Sequence, residues 1–154
     1  MERLQLRYDI ETGMTGDVPL DLIVSHVDPV RFPPWVGMEE RPLDRGQILG
    51  FLAAKAFETQ PFEWTTWERM AAEWPPERHL RRIAYLMSQD ALEPIEIEVT
   101  DRGLILNDGH HRLAASIIDG RAAIAVGFHG FLDRIGTTLN AEISEAEHET
   151  ILFT

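Results

Sequence analysis

The sequence of 154 residues contains no cysteine. Disulfides, thiolate metal sites and cysteine nucleophiles are therefore excluded. No apolar run approaches the roughly 18 residues needed to cross a bilayer. The opening Met1-Glu2-Arg3-Leu4-Gln5 lacks the long apolar core of a secretory signal. The expectation is a cytoplasmic protein with no membrane span. Basic residues are scarce: 14 Lys and Arg stand against 26 Asp and Glu, a net charge of −12. Most of the surface then repels nucleic acid, and any such binding needs a local basic patch. Internal repeats and low-complexity blocks are also missing. The remaining composition is globular, and the length is that of one domain with a real core.

Leu4, Leu6, Tyr8 and Ile10 alternate with polar residues, as in a half-buried strand. Residues 12–17 read as a loop and Val18 to Val24 as the next strand. Ser25-His26-Val27-Asp28-Pro29 leaves that strand. Asp44 is placed to cap a helix running to Phe57, which Gln60-Pro61 stops. A second helix is expected over about 63–74, with Trp64, Trp67, Ala71 and Trp74 on one stripe. All four Trp fall between residues 35 and 74. They are expected to seal two helices onto a sheet, the alternative being a lid or a partner surface.

Pro76 and Glu77 suit the first turn of a helix running to about Gln89. Leu80, Ile83, Ala84 and Met87 form its apolar stripe, and Arg78, His79, Arg81 and Arg82 its basic side. This short cluster fits a small anion better than a duplex. Ile95, Ile97 and Val99 then alternate with polar residues as a strand, and Asp101-Arg102-Gly103 turns the chain.

The densest chemistry lies in residues 104–129. An apolar run, Leu104 to Leu106, breaks at Asn107-Asp108-Gly109. Leu113, Ala114, Ile117 and Ile118 then recur at helical spacing, and Gly120 suits the position just past a helix end. Ala122 to Val126 reads as a buried strand, followed by a loop over 127–136. Gly109 lacks a Cβ, which permits close approach to the backbone. The first amides of the following helix have no intrahelical acceptor, and the helix dipole adds partial positive charge. Arg112 offers a planar fork of donors, and His110 and His111 add two more donors or ligands. Adjacent histidines point in different directions, so they make a poor metal pair and no metal site is expected. The turn reads as a phosphate cradle.

Asp108-Gly109-His110-His111-Arg112-Leu113-Ala114-Ala115, with Gly120 and a closing strand, resembles the ParB/sulfiredoxin superfamily. Upstream, the stripe from Leu80 to Met87 followed by Glu93-Pro94-Ile95-Glu96-Ile97 resembles the family's helix, Pro-Ile and strand. The resemblance implies an α+β fold, a small mixed sheet with flanking helices, with its core at about 18–30 and 77–130. Residues 35–76 would be a helical, Trp-rich insertion and 140–154 an acidic tail, with a short strand over 150–153. It further implies nucleotide or phosphate binding by Gly109, His110, His111, Arg112, His79 and Arg82, with ATP or another nucleotide and Mg2+.

Sulfiredoxins need a cysteine where this chain has His110, so that activity is excluded. ParB proteins bind CTP through Gly-Glu-Arg-Arg, from which Gly109-His110-His111-Arg112 departs at two positions. No basic helix-turn-helix follows, so sequence-specific DNA binding is disfavoured. Other superfamily members are small-molecule kinases. That resemblance implies an NTP-dependent phosphotransferase or nucleotide hydrolase, with Asp28, Asp108 and His110 as candidate catalytic groups. The competing readings are a non-catalytic module gripping a protein partner through the Trp-rich insertion or the acidic tail, and a ParB-like nuclease, which the charge weakens.

Overall fold

The computed structural model describes residues 4–9, 13–27, 42–62, 74–139 and 141–145. The helix expected over 63–74, Asp28, and the strand expected at 150–153 lie outside those residues, apart from Trp74. The chain forms an α+β structure of two compact units: Met1–Val27, Glu93–Gly109 and Ala122–Thr154 make one, and Asp28–Leu92 with His110–Arg121 the other. Among the described residues no helix is long and apolar enough to cross a membrane.

The first unit is a mixed six-stranded sheet. Its strands are β1 (Leu4–Asp9), β2 (Gly13–Pro19), β3 (Ile95–Thr100), β4 (Gly103–Asp108), β5 (Ala123–Gly130) and β6 (Ala141–Glu145). They lie in the order β4-β3-β5-β2-β1-β6. β3 pairs parallel with β5, and β1 parallel with β6; the other neighbours are antiparallel. Alternation puts Ile95, Ile97 and Val99 of β3 inside, beside Val126 and Phe128 of β5.

Several expectations fail here. Residues 13–17 are not a loop, because Met14 to Pro19 pair along β5 from Phe128 back to Ala123, and Gly13 pairs with Asp9 of β1. Gly16 belongs in that strand for a tertiary reason: a Cβ there would lie 2.7 Å from the Leu6 side chain. The Val18–Val24 strand is cut short by Pro19, after which Leu20–Val24 forms α1, burying Leu20 and Ile23 one turn apart. β4 continues through Asn107 and Asp108, because a register shift opposite Glu96 and Ile97 absorbs the extra residue. The loop expected over 127–136 is instead the end of β5, a 3-10 turn at Leu132–Arg134 and the start of a short helix, Ile135–Thr138. The tail begins as β6 against β1.

The second unit is helical. It holds α2 (Arg45–Ala54), α3 (Pro76–Met87) and α4 (His110–Ile118). Asp44 caps α2 as expected, its Oδ1 accepting from the Gln47 N–H at 3.0 Å. The helix stops earlier than Phe57, at Lys55 in the left-handed conformation (φ 54°). Asp44→Ala should lower stability by about 1 kcal/mol, read as a shift in urea midpoint with an unchanged slope.

α3 opens with Pro76 at its first position and buries Leu80, Ile83, Ala84, Leu86 and Met87. These side chains form one core with Ile48, Ala114 and Ala115. Arg121 closes the far end of α3, donating from Nη2 to the carbonyls of Gln89 (2.6 Å) and Leu86 (3.4 Å). α4 ends on Gly120 at φ +68°, with the Arg121 N–H reaching the Ser116 carbonyl at 3.0 Å.

Candidate functional site

The helical unit brings together residues far apart in sequence. Pro76 starts α3 so that His79 falls in its first turns, on the same side as Leu80 and Ile83. His111 lies in the first turn of α4, beside Ala114 and Ala115 on the facing side. The two imidazoles meet: Nδ1 of His79 is 2.9 Å from Nε2 of His111. Their planes differ by 14° and their centroids are 5.2 Å apart. A separation of 2.9 Å is shorter than the roughly 3.5 Å of two faces in van der Waals contact. The rings therefore meet edge to edge, sharing a hydrogen bond rather than a stack.

Aromatic rings enclose this pair. Trp74 lies 5.1 Å from His79 and 6.0 Å from His111, centroid to centroid. Phe62 meets Trp74 edge-on at 5.0 Å and sits 5.6 Å from His79. His79 is 0% and Trp74 2% exposed, so neither side chain reaches the surface. The Trp74 indole N–H has no hydrogen-bond partner among the described residues.

Cations surround the rings. The Arg78 guanidinium lies 4.1 Å from the Trp74 ring centroid and pairs with Glu58 at 3.2 Å. Arg81 pairs with Glu77 one turn back on α3 at 3.2 Å. Arg82 donates to the Thr59 carbonyl at 2.9 Å and covers the Tyr85 ring. Burial lowers the Arg82 pKa, as does the neighbouring Arg112 guanidinium, while Tyr85 and Glu58 oppose that shift. Burial also pushes His79 down to about 4, helped by Arg78. His111 is held well below its usual range by burial first, then by His79, Arg82, His110 and Arg112. Both imidazoles are thus neutral at pH 7.

Of the residues named from sequence, His79, Arg82, His110, His111 and Arg112 all belong to this unit and interact electrostatically through His111. Asp108 and Gly109 belong to the sheet unit. There Asp108 Oδ1 accepts the Gly109 N–H at 2.9 Å. The space a Gly109 side chain would fill is taken by Ile95, whose Cγ2 would stand 2.6 Å from a Cβ. The missing Cβ is accounted for by the protein's own packing. Asp28 lies outside the described residues. Among those residues no three His, Asp or Glu side chains gather as a metal site.

Sequence reading missed Phe62, Glu58 and Thr59 altogether, and assigned Trp74 to a helix stripe. No local pattern announces them. Their one signal is position, just after α2 and just before the Pro75-Pro76 break that starts α3.

Comparison of the chain with protein-family models, with curated proteins and with solved structures returns no match.

Proposed function

We propose that the chain binds a phosphate-bearing small molecule, a nucleotide with its magnesium ion, at the first turn of α4, and that it transfers or hydrolyses the terminal phosphate. The observation that carries this reading is the convergence of Arg82 from α3 with His110 and Arg112 from α4 around the half-buried His111 imidazole. The Arg112 guanidinium lowers the pKa of partly buried Arg82, a repulsion that an anion between the two relieves. Guanidinium forks match phosphate oxygens in shape as well as charge. The start of a nine-residue helix adds its dipole in the same sense.

Roles divide by burial. Arg82 and Arg112, both half-buried, are the groups to hold phosphate oxygens. His111, neutral, offers a hydrogen bond rather than a charge. His110, half-buried at the first position of α4, takes the acceptor's proton in this reading. A magnesium ion bound mainly by phosphate and water would arrive with the nucleotide.

Thermal unfolding in the presence of ATP, ADP, CTP or GTP, with and without magnesium, tests the proposal. Ligand at about 100 times its Kd should raise Tm by about 5 °C or more, and Arg112→Ala should abolish that rise. Absence of a shift with every nucleotide defeats the reading.

A further inference from the structure

The sheet ends on one side at β4, which has β3 on one flank and, among the described residues, no strand on the other. Such an edge carries main-chain donors and acceptors outside the ladder. Which residues carry them follows from the hairpin. Thr100 and Gly103 pair across the two residues Asp101 and Arg102, and the pair closing so short a turn is a hydrogen-bonded one. Bonded and non-bonded pairs then alternate, so Ile105 turns its main-chain groups to Glu98 of β3. Leu104 and Leu106 turn theirs outward. We propose that this edge pairs with the same edge of a second copy of the chain, antiparallel, about a two-fold axis at Ile105.

The strand lacks the usual defences of an edge. It contains no proline and no lysine. Ile105, a large apolar side chain, is 49% exposed. An open groove is lined by Thr100, Asp101, Arg102, Gly103, Leu104 and Ile105. The register shift that bends β4 lies at Asn107, past the residues that would pair.

The register selects the occupant. Outward groups must meet outward groups, so Leu104 and Leu106 can face only each other or themselves. Leu104 on Leu104 sets Arg102 opposite an apolar Leu106, and Leu106 on Leu106 sets Asp108 opposite Leu104. Leu104 on Leu106 avoids both. It forms four main-chain hydrogen bonds, two at each Leu pair. It also sets Arg102 of each copy opposite Asp108 of the other, a charge complementarity repeated at both ends. Asp108 keeps its bond to the Gly109 N–H, since a carboxylate accepts from several donors. The run Leu-Ile-Leu reads the same in both directions, so each copy meets its own chemistry. Half-buried Leu106 gains Leu104 of the second copy beside it, and Ile105 packs on Ile105. So short a contact buries far less than the roughly 1,600 Å² of a standard interface, which makes the dimer weak, with a Kd of about 0.1 mM.

Sedimentation equilibrium of the full chain tests the proposal. The native chain should pass from monomer to dimer as its concentration rises through about 0.1 mM. Ile105→Lys, a surface change, should weaken the dimer at least about tenfold. Arg102→Glu should weaken it about fivefold, most at low salt. Arg45→Glu, on the exposed side of α2, alters net charge equally and should leave it unchanged. The chain has no cysteine, so Ile105→Cys introduces a single thiol. At the Cα separation of about 4.5 Å expected for a non-hydrogen-bonded pair, it should oxidise to a disulfide-linked dimer. Leu49→Cys, equally exposed on α2, should not. A native chain that stays monomeric to about 0.5 mM overturns the proposal. A dimer untouched by Ile105→Lys also overturns it, by placing the contact elsewhere, such as β6 at the opposite edge. Equal weakening by the two Glu variants, or equal cross-linking by the two Cys variants, overturns the register.

Discussion

Between pH 7 and pH 5 the fold should lose about 2 kcal/mol through His79 alone, and about 3 kcal/mol by pH 4. The folded chain holds His79 near 4, against 6.5 for an unburied histidine. At any pH between those values the unfolded chain binds the proton and the folded chain does not. Protons therefore favour unfolding, and stability rises with pH across that window. The contribution is complete above pH 6.5, shrinks as pH falls, and stops changing once the folded ring titrates too. His111 is shifted in the same direction, so its effect adds. The groups acting on the pair are Arg78 beside His79, and Arg82, His110 and Arg112 beside His111. All are cationic or able to become so, and each lowers the pKa of its histidine. A doubly protonated pair would also set two N–H groups head to head across 2.9 Å. Urea midpoints between pH 8 and pH 4 measure the slope, and His79→Phe subtracts the background from the many carboxylates. Native and variant chains losing stability in parallel below pH 6.5 would show that the pair is not held neutral. In the native chain the His79 ring signal should titrate with a midpoint near 4.

What the sequence revealed and concealed follows from the range of the interactions involved. The helices α3 and α4 were legible because each carries its apolar residues at one-turn spacing and its own terminator: Pro76 at the start of one, Gly120 at the end of the other. The Asp44 cap needs only Gln47, three residues on. Strand β2 was hidden because Gly13, Thr15, Gly16 and Asp17 compose a loop by any local measure. What makes a strand of Thr15, Gly16 and Asp17 is their pairing with Ala125 to Gly127, more than a hundred residues away, while Gly13 and Thr15 also pair with β1. Pro19 likewise looked like a strand interior until the chain turned helical at Leu20. In the site, the residues of one helix turn were visible together, while the His79–His111 bond spans 32 positions and leaves no local pattern. Burial was the larger omission. No pattern distinguishes an exposed histidine from one sealed behind Trp74, and His79 is of the second kind.

Gly109→Ala should cost about 4 kcal/mol, from two separable causes. The first is backbone: Gly109 has φ +102°, which L side chains rarely adopt. The second is crowding, since an added Cβ would lie 2.6 Å from Ile95 Cγ2, 2.9 Å from its Cβ and 3.1 Å from its Cα. Rotating the Ile95 side chain moves the first of these atoms but not the other two, so strand β3 itself must shift. Gly120 supplies the control, with φ +68° and nothing within 4 Å of an added Cβ. Gly120→Ala should therefore cost only the backbone term, about 1 kcal/mol. The excess in Gly109→Ala measures the contact with Ile95 together with the harsher φ of +102°. Chemical denaturation of the two variants beside the native chain reads it directly, and equal losses would mean that Ile95 does not occupy that space. Because the cost arises within the sheet unit, pyrophosphate should bind whatever Gly109→Ala chain remains folded with native affinity. A Gly109→Ala chain that folds fully but no longer binds would instead return the glycine to the role of a ligand contact, as its place before His110-His111-Arg112 first suggested.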